Sequence, residues 1–538
     1  MPGSHEETSG IVNAGSAQKT RGTRCRLLAA FRPSRRRLLI APALLFCATY
    51  LWLAVRYYSK QPRLSHNFAA EINDQIDAMP EADLAWPRYR QVLMKATGQL
   101  PPDALTSKSI DTDLAARLFA QMSLEQNRQL LPAIREAAAI PRIGLRLRDA
   151  LDPADLPWMQ RLSPMEVPQP SRTASENPAY LTILVPYMPK LRGFAQLLQL
   201  DAEQAAAESD GERLVADIVA CLNIADQLRR EPLAVVHPAS YGLLHNAVTT
   251  MGAIVSQYPS LLNDDQLLLL SARVNAYGDG VSIRLPMSDE RMMFEDVVQR
   301  SYSDDGNGDG SVIVHRLYEA IAPGTKSDWF IRVTAPLSSG FYASRRELMT
   351  KYDVIMKELE GVCRLPLWQC AESPEAAVRR LSDDERRRCL LIPLLVPGIA
   401  KLYPLAERAT QERDAALVVL ALARFRRQHQ RWPQRLEELV DDYLSDVPAD
   451  RFSGAPVKYR YDDRQPVLYS VGADRNDDGG NAPARGERDT AAIWLPPDQA
   501  SSAPDGDWIL WPPPPATHPF VHQQGAANQS PRSAARRS

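Results

Sequence analysis

From Leu38 to Val55 the chain carries no charged side chain, and the run is closed by Arg35, Arg36 and Arg37 on one side and by Arg56 and Lys60 on the other. An uncharged stretch of this length is close to the minimum that spans a bilayer core as a helix. Lys19, Arg21, Arg24, Arg26 and Arg32 precede it, whereas the downstream stretch mixes Arg63 with Glu71, Asp74 and Asp77. By the positive-inside rule the expectation is one transmembrane helix over 38–57, a basic cytoplasmic tail over 1–37, and the bulk of the chain outside the cytoplasm. That places the protein in a bacterial inner membrane with its mass in the periplasm. Tyr50, Trp52, Tyr57 and Tyr58 suit a membrane interface. "SRRRLL" at Ser34 has the look of a twin-arginine export signal, but no small-x-small cleavage site follows it.

At 538 residues and a formal net charge of −2, the chain has room for more than one domain and no global attraction for nucleic acid. No basic run is interleaved with aromatics, so no nucleic-acid partner is expected. Cys221, Cys363, Cys370 and Cys389 show no C-x-x-C or His-partnered spacing. Buried free thiols and a Cys363–Cys370 pair are both open.

Residues 58–395 read as an irregular helical bundle rich in Ala and Leu. In the clearest unit, Leu191, Ala195, Leu198, Ala202 and Ala205 share one helix face and Leu214, Ile218, Cys221, Ala225 and Leu228 another. "ESDG" links the two, with Ser209 placed to cap the second helix and Glu212 at the capping-box position. No fixed period recurs, which weighs against a helical-repeat module for binding partners. Asp264-Asp265 and Asp383-Asp384 precede helical patterns, where carboxylates complement the positive helix end.

A long helix is expected from about Pro404 to Gln430, ended at Trp432-Pro433, then a shorter helix in "QRLEELVDDYL". "VKYRYDD" and "PVLYSVG" alternate like two antiparallel strands, and "GDWILW" at Gly506 to Trp511 reads as a third. Residues 513–538, rich in Pro, Ala, Ser and Gln, read as a disordered tail.

Two acidic loops are candidate cation sites. "YSVGADRNDDGG" holds Asp474, Asp477 and Asp478, and "YSDDGNGDG" holds Asp305, Asn307 and Asp309, followed by Gly310. Alternating carboxylates in a Gly-permitted turn can converge on calcium. In the second loop the position that would want a bidentate Glu is Arg316, so it is the weaker candidate.

The order of long helix, "FRRQHQRWPQRLEELV", "VKYRY" and "VLYSVGADRNDDGG" resembles the globular part of the major pseudopilin of type II secretion. That resemblance covers about 396–512 and implies an α+β domain whose loop binds calcium structurally. It implies Asp474 as one ligand, Asp477 or Asp478 as the next, and a later carboxylate from Asp507 or Asp489. The chain departs from the family at its N-terminus, where no pilin leader opens the apolar segment, so pilin-like processing is not expected. The whole chain resembles large membrane-anchored bacterial proteins of unknown function, which implies an architecture but no activity.

No P-loop, H-E-x-x-H or G-x-S-x-G occurs, and the S-x-x-K at Ser16 lies in the N-terminal tail. His237 and His245 read as satisfied structural histidines. The functional expectation is therefore a membrane-anchored, envelope-facing scaffold or assembly protein with an envelope protein partner. The alternative is an extracytoplasmic hydrolase with a dispersed site.

Overall fold

The computed structural model describes residues 35–513 apart from 97–99, 101–113, 163–174, 281–282, 284, 286, 322–326, 462–465, 485–486 and 488–489. The chain divides into two compact units, Met1–Ser59 and Lys60–Ser538. The tail expected to be disordered lies, from residue 514, outside the described residues, as do the first 34 residues of the basic N-terminal segment.

In the first unit a helix does form over Arg35–Tyr58, with Pro42 inside it. The transmembrane expectation is nevertheless overturned: among the described residues no helix is long and apolar enough to cross a membrane. Arg35, Arg36, Arg37 and Arg56 bound the uncharged run Leu38–Val55 within this helix, and at about 1.5 Å per residue the run gives roughly 27 Å, against about 30 Å of hydrocarbon. Proline, threonine and tyrosine further dilute its apolar character. The single-pass topology and the inner-membrane placement with a periplasmic bulk fall with it.

The second unit is mainly helical, as the periodicity requires. Helices Met188–Ala207 and Gly211–Arg229 form the expected hairpin. Leu191, Ala195, Leu198, Leu214, Ile218, Cys221, Ala225 and Leu228 are all fully buried. Fully burying one such leucine or isoleucine contributes about 1.5–3 kcal/mol, so this seam alone is a major source of stability. The cap falls one residue later than expected. Asp210 accepts from the Arg213 amide at 3.0 Å, while Ser209 takes a left-handed φ of 62° to end the preceding helix. Aspartate serves the first turn better because its charge also meets the positive helix end.

Helix His237–Gln257 packs on Gly211–Arg229 and on the long helix Leu391–His429. The long helix starts well before Pro404 and contains Pro397 and Pro404. Its first turns bury Leu391, Ile392, Val396, Ile399 and Ala400, and that burial outweighs the two lost backbone bonds. It stops where Gln430 turns left-handed at φ 53°, ahead of Trp432-Pro433. The helix expected after it is only the single 3-10 turn Leu436–Leu439.

Three strands follow: β1 (Lys458–Arg460), β2 (Val467–Ser470) and β3 (Trp508–Trp511), in an antiparallel sheet of order β1-β2-β3. Lys458 faces Tyr469, and Ser470 faces Trp508. The sheet shares the helical core, since Leu468 and Trp511 belong to the same buried cluster as Leu244 and Leu420.

Several charges in the helical body are paired. Arg135 donates to Asp217 at 2.7 Å and to Asp201 at 2.8 Å. Arg413 donates to Asp414 at 2.7 Å, and Arg451 lies 3.4 Å from both Glu407 and Asp414. The cysteines named above are free thiols.

Candidate metal centre

The loop after β2 is built by backbone conformations that few side chains allow. Gly472, Gly479 and Gly480 have φ of 71°, 66° and 81°, and Arg475 is left-handed at 62°. The turn is then closed by its own aspartates. Asp474 Oδ1 accepts from the Asn476 amide at 3.1 Å, and Asp477 Oδ1 accepts from Gly479 at 3.1 Å.

The partner limb is the turn leading into β3. The Gly506 amide donates to Asp474 Oδ2 at 3.1 Å, and the Asp507 amide donates to the Asn481 carbonyl at 2.7 Å. Gly506 has φ of 125°, and a Cβ there would stand 2.7 Å from the Pro483 nitrogen. No other residue fits that close approach.

Together the two limbs bring carboxylate oxygens of Asp474, Asp478 and Asp505 within 4.8 Å of one another. Among the described residues this is the group of acidic, His or Cys side chains that converges tightly enough to hold an ion. Burial, and then the charges of Asp505, Asp474 and Asp477, hold the Asp478 carboxyl above its ordinary pKa. Its Oδ2 is shielded from water without a hydrogen-bond partner. An all-carboxylate donor set fits a hard cation such as calcium or magnesium and offers nothing to a soft metal. Three side chains leave room for the further oxygens that calcium takes.

The other carboxylates expected at this site have different work. Asp477 is turned to β1 and β2, where it meets Lys458 at 3.1 Å and accepts from the Tyr469 hydroxyl at 3.1 Å. Asp507 is fully buried behind the loop and accepts from the Gly480 amide at 2.7 Å. Burial raises its pKa, and its Oδ1 has no hydrogen-bond partner. Asp489 lies outside the described residues. Asp505 is missed in the sequence because Asp507, next to the strand, carries the same chemistry; its place directly before Gly506 is the signal that marks it. Arg475 does not neutralise the cluster, since its guanidinium donates to the Leu495 carbonyl at 3.3 Å.

Asp450 is a second residue that sequence reasoning missed. It is fully buried and accepts from Phe452 at 2.9 Å, the Ser470 hydroxyl at 2.7 Å and Val471 at 2.9 Å. It fixes the end of β2, and so the origin of the acidic loop.

The second acidic loop is occupied with itself. Asp305 Oδ1 accepts from the Asn307 and Asp309 amides at 2.8 and 3.0 Å. Asp309 accepts from Gly310 at 2.8 Å and from Arg346 at 3.0 Å, and Arg346 also donates to the Asn307 carbonyl at 2.7 Å. His245 is partnered by Glu412 at 3.0 Å. His237 is buried with neither ring nitrogen hydrogen-bonded, the carboxylate of Asp289 standing 3.9 Å away.

No protein-family model, curated protein or solved structure matches this chain, so no family relationship supports a role in secretion or a calcium-binding assignment.

Proposed function

We propose that this protein is a helical scaffold or assembly protein whose C-terminal sheet is fastened by calcium bound to Asp474, Asp478 and Asp505. The observation that carries the reading is the convergence of those three carboxylates from two separate limbs of chain. An ion there would add to the bonds that already join the loop after β2 to the entry of β3, Gly506 to Asp474, Asp507 to Asn481 and Gly480 to Asp507. Removing it leaves like charges crowded together, which disfavours the closed loop. The scaffold role is supported by the helical body, where the half-buried Arg135 and Arg451 are paired with buried carboxylates. The order of long helix, three strands and acidic loop supports, within the same proposal, a likeness of 396–512 to the pseudopilin globular region.

The test is thermal unfolding of the full chain in calcium and in a chelator, paired with affinity capture of the tagged protein. A higher midpoint in calcium, together with a stoichiometric protein partner, is the expected result. An unchanged midpoint rejects the ion. Turnover in a hydrolase screen with no captured partner rejects the scaffold.

A further inference from the structure

Helix Trp329–Ser338 presents an apolar face to solvent. Trp329, Phe330, Val333 and Leu337 are 71%, 59%, 48% and 42% exposed, and Phe341 in the following turn is 77% exposed. At about 100° per residue the four helical positions fall within an arc of roughly 100°, one continuous stripe. The opposite side is seated, with Ala335 fully buried and the helix packed on its neighbour Val314–Ile321. Trp329 and Phe330 lie edge to face at 6.0 Å, so they form a joined aromatic surface.

We propose that this face pairs two copies of the chain. Large aromatic side chains offer about 150–250 Å² each, so three of them more than half exposed, with Val333 and Leu337, come to roughly 500 Å². That is near the upper end of what a monomer leaves in water. Two such faces together bury about 1,000 Å², the lower bound for a specific interface. A two-fold axis across a short helix requires a self-complementary patch, and this one has bulky groups at both ends, Trp329 at the start and Phe341 past the finish. Antiparallel pairing would set each against the other.

Charge argues for protein over lipid. Among the described residues the charges near the stripe include Asp328 and Glu319 as well as Arg332 and Arg316; Arg332 donates to Glu319 at 3.0 Å and to Ser327 at 2.8 Å, and Arg316 lies 3.9 Å from Glu319. A helix that lies on anionic lipid needs an excess of lysine and arginine beside its apolar face. This one has a matched pair.

Sedimentation velocity of the full chain over a range of micromolar concentrations tests the pairing. The wild type should move from monomer to dimer. Phe330→Glu and Phe341→Glu should each weaken the dimer at least tenfold with unchanged far-UV circular dichroism. Val354→Glu, 58% exposed on helix Arg345–Val362, should leave it intact. A wild type that stays monomeric overturns the proposal, as does a dimer that survives both phenylalanine substitutions. A dimer lost equally in Trp52→Glu would assign the contact to the exposed apolar residues of Arg35–Tyr58 instead. Co-sedimentation with phosphatidylglycerol vesicles that the same phenylalanine substitutions abolish would assign the face to lipid.

Discussion

The indole nitrogen of Trp511 donates to the carbonyl of Gly252 at 2.8 Å, joining the last strand to the middle of helix His237–Gln257. A Cβ at Gly252 would stand 3.2 Å from Trp511 Cδ1, so the glycine admits the ring. Trp432 packs on its other side at 5.6 Å. Trp511→Phe keeps most of the burial and removes one hydrogen bond to a carbonyl that helix geometry already satisfies, with an expected loss of about 1 kcal/mol. Trp511→Ala adds a cavity and should cost about 3–5 kcal/mol. Urea unfolding of the two variants measures the difference.

Asp450→Ala leaves three buried donors without an acceptor, the amides of Phe452 and Val471 and the hydroxyl of Ser470. A loss of about 3 kcal/mol or more is expected, because each orphaned donor keeps its desolvation cost. Asp450→Asn should fall between wild type and alanine. Hydrogen exchange at Val471 distinguishes local loosening from global destabilisation.

Calcium-dependent stabilisation should vanish in Asp505→Asn and Asp474→Asn and persist in Asp477→Asn, because Asp477 is engaged by Lys458 and Tyr469. In the wild type the gain should approach about 2.7 kcal/mol at a hundredfold excess over the dissociation constant. Asp305→Asn should change the calcium response not at all. A response that follows Asp305 would move the site to the other loop.

Glu231 gives a pH prediction. Burial is the main cause and lifts its carboxyl to about 8, opposed by the charge of Arg142 and a bond from the Gly144 backbone. The folded chain therefore holds a proton that the unfolded chain releases at its ordinary carboxylate value near 4. From pH ~4 to ~8 the folded state binds more protons, so this group's contribution to stability falls as pH rises through that window. The slope is at most about 1.4 kcal/mol per pH unit. Glu231→Gln should flatten it, read by denaturant unfolding at a series of pH values; an identical slope in the variant would assign the proton elsewhere.

Local patterns were legible in the sequence, and distant meetings were not. The faces of Met188–Ala207 and Gly211–Arg229, the β1-β2 hairpin and β3 followed from periodicities of 3.6 and 2. The start of helix Leu391–His429 was hidden because proline is a local signal and the burial of Ile392 and Val396 is a tertiary one. Part of the candidate site was readable: Asp474 and Asp478 advertise themselves in one acidic run, whereas Asp505 joins them through tertiary bonds such as Gly506–Asp474, across 32 positions. The apolar run at Leu38 shows the converse error, since composition alone suggested a membrane span that the described helix does not supply.

The seat of Trp511 also sets an order of events during synthesis. The helical pairs can assemble while the chain is still emerging, but the side of His237–Gln257 around Gly252 stays open until Trp511 has left the ribosome. Closing a contact across 259 positions is entropically slow, and the waiting apolar surface is a hazard for aggregation. Chains stalled before Trp511 would thus expose the surface that its indole covers, a mark that quality control can read.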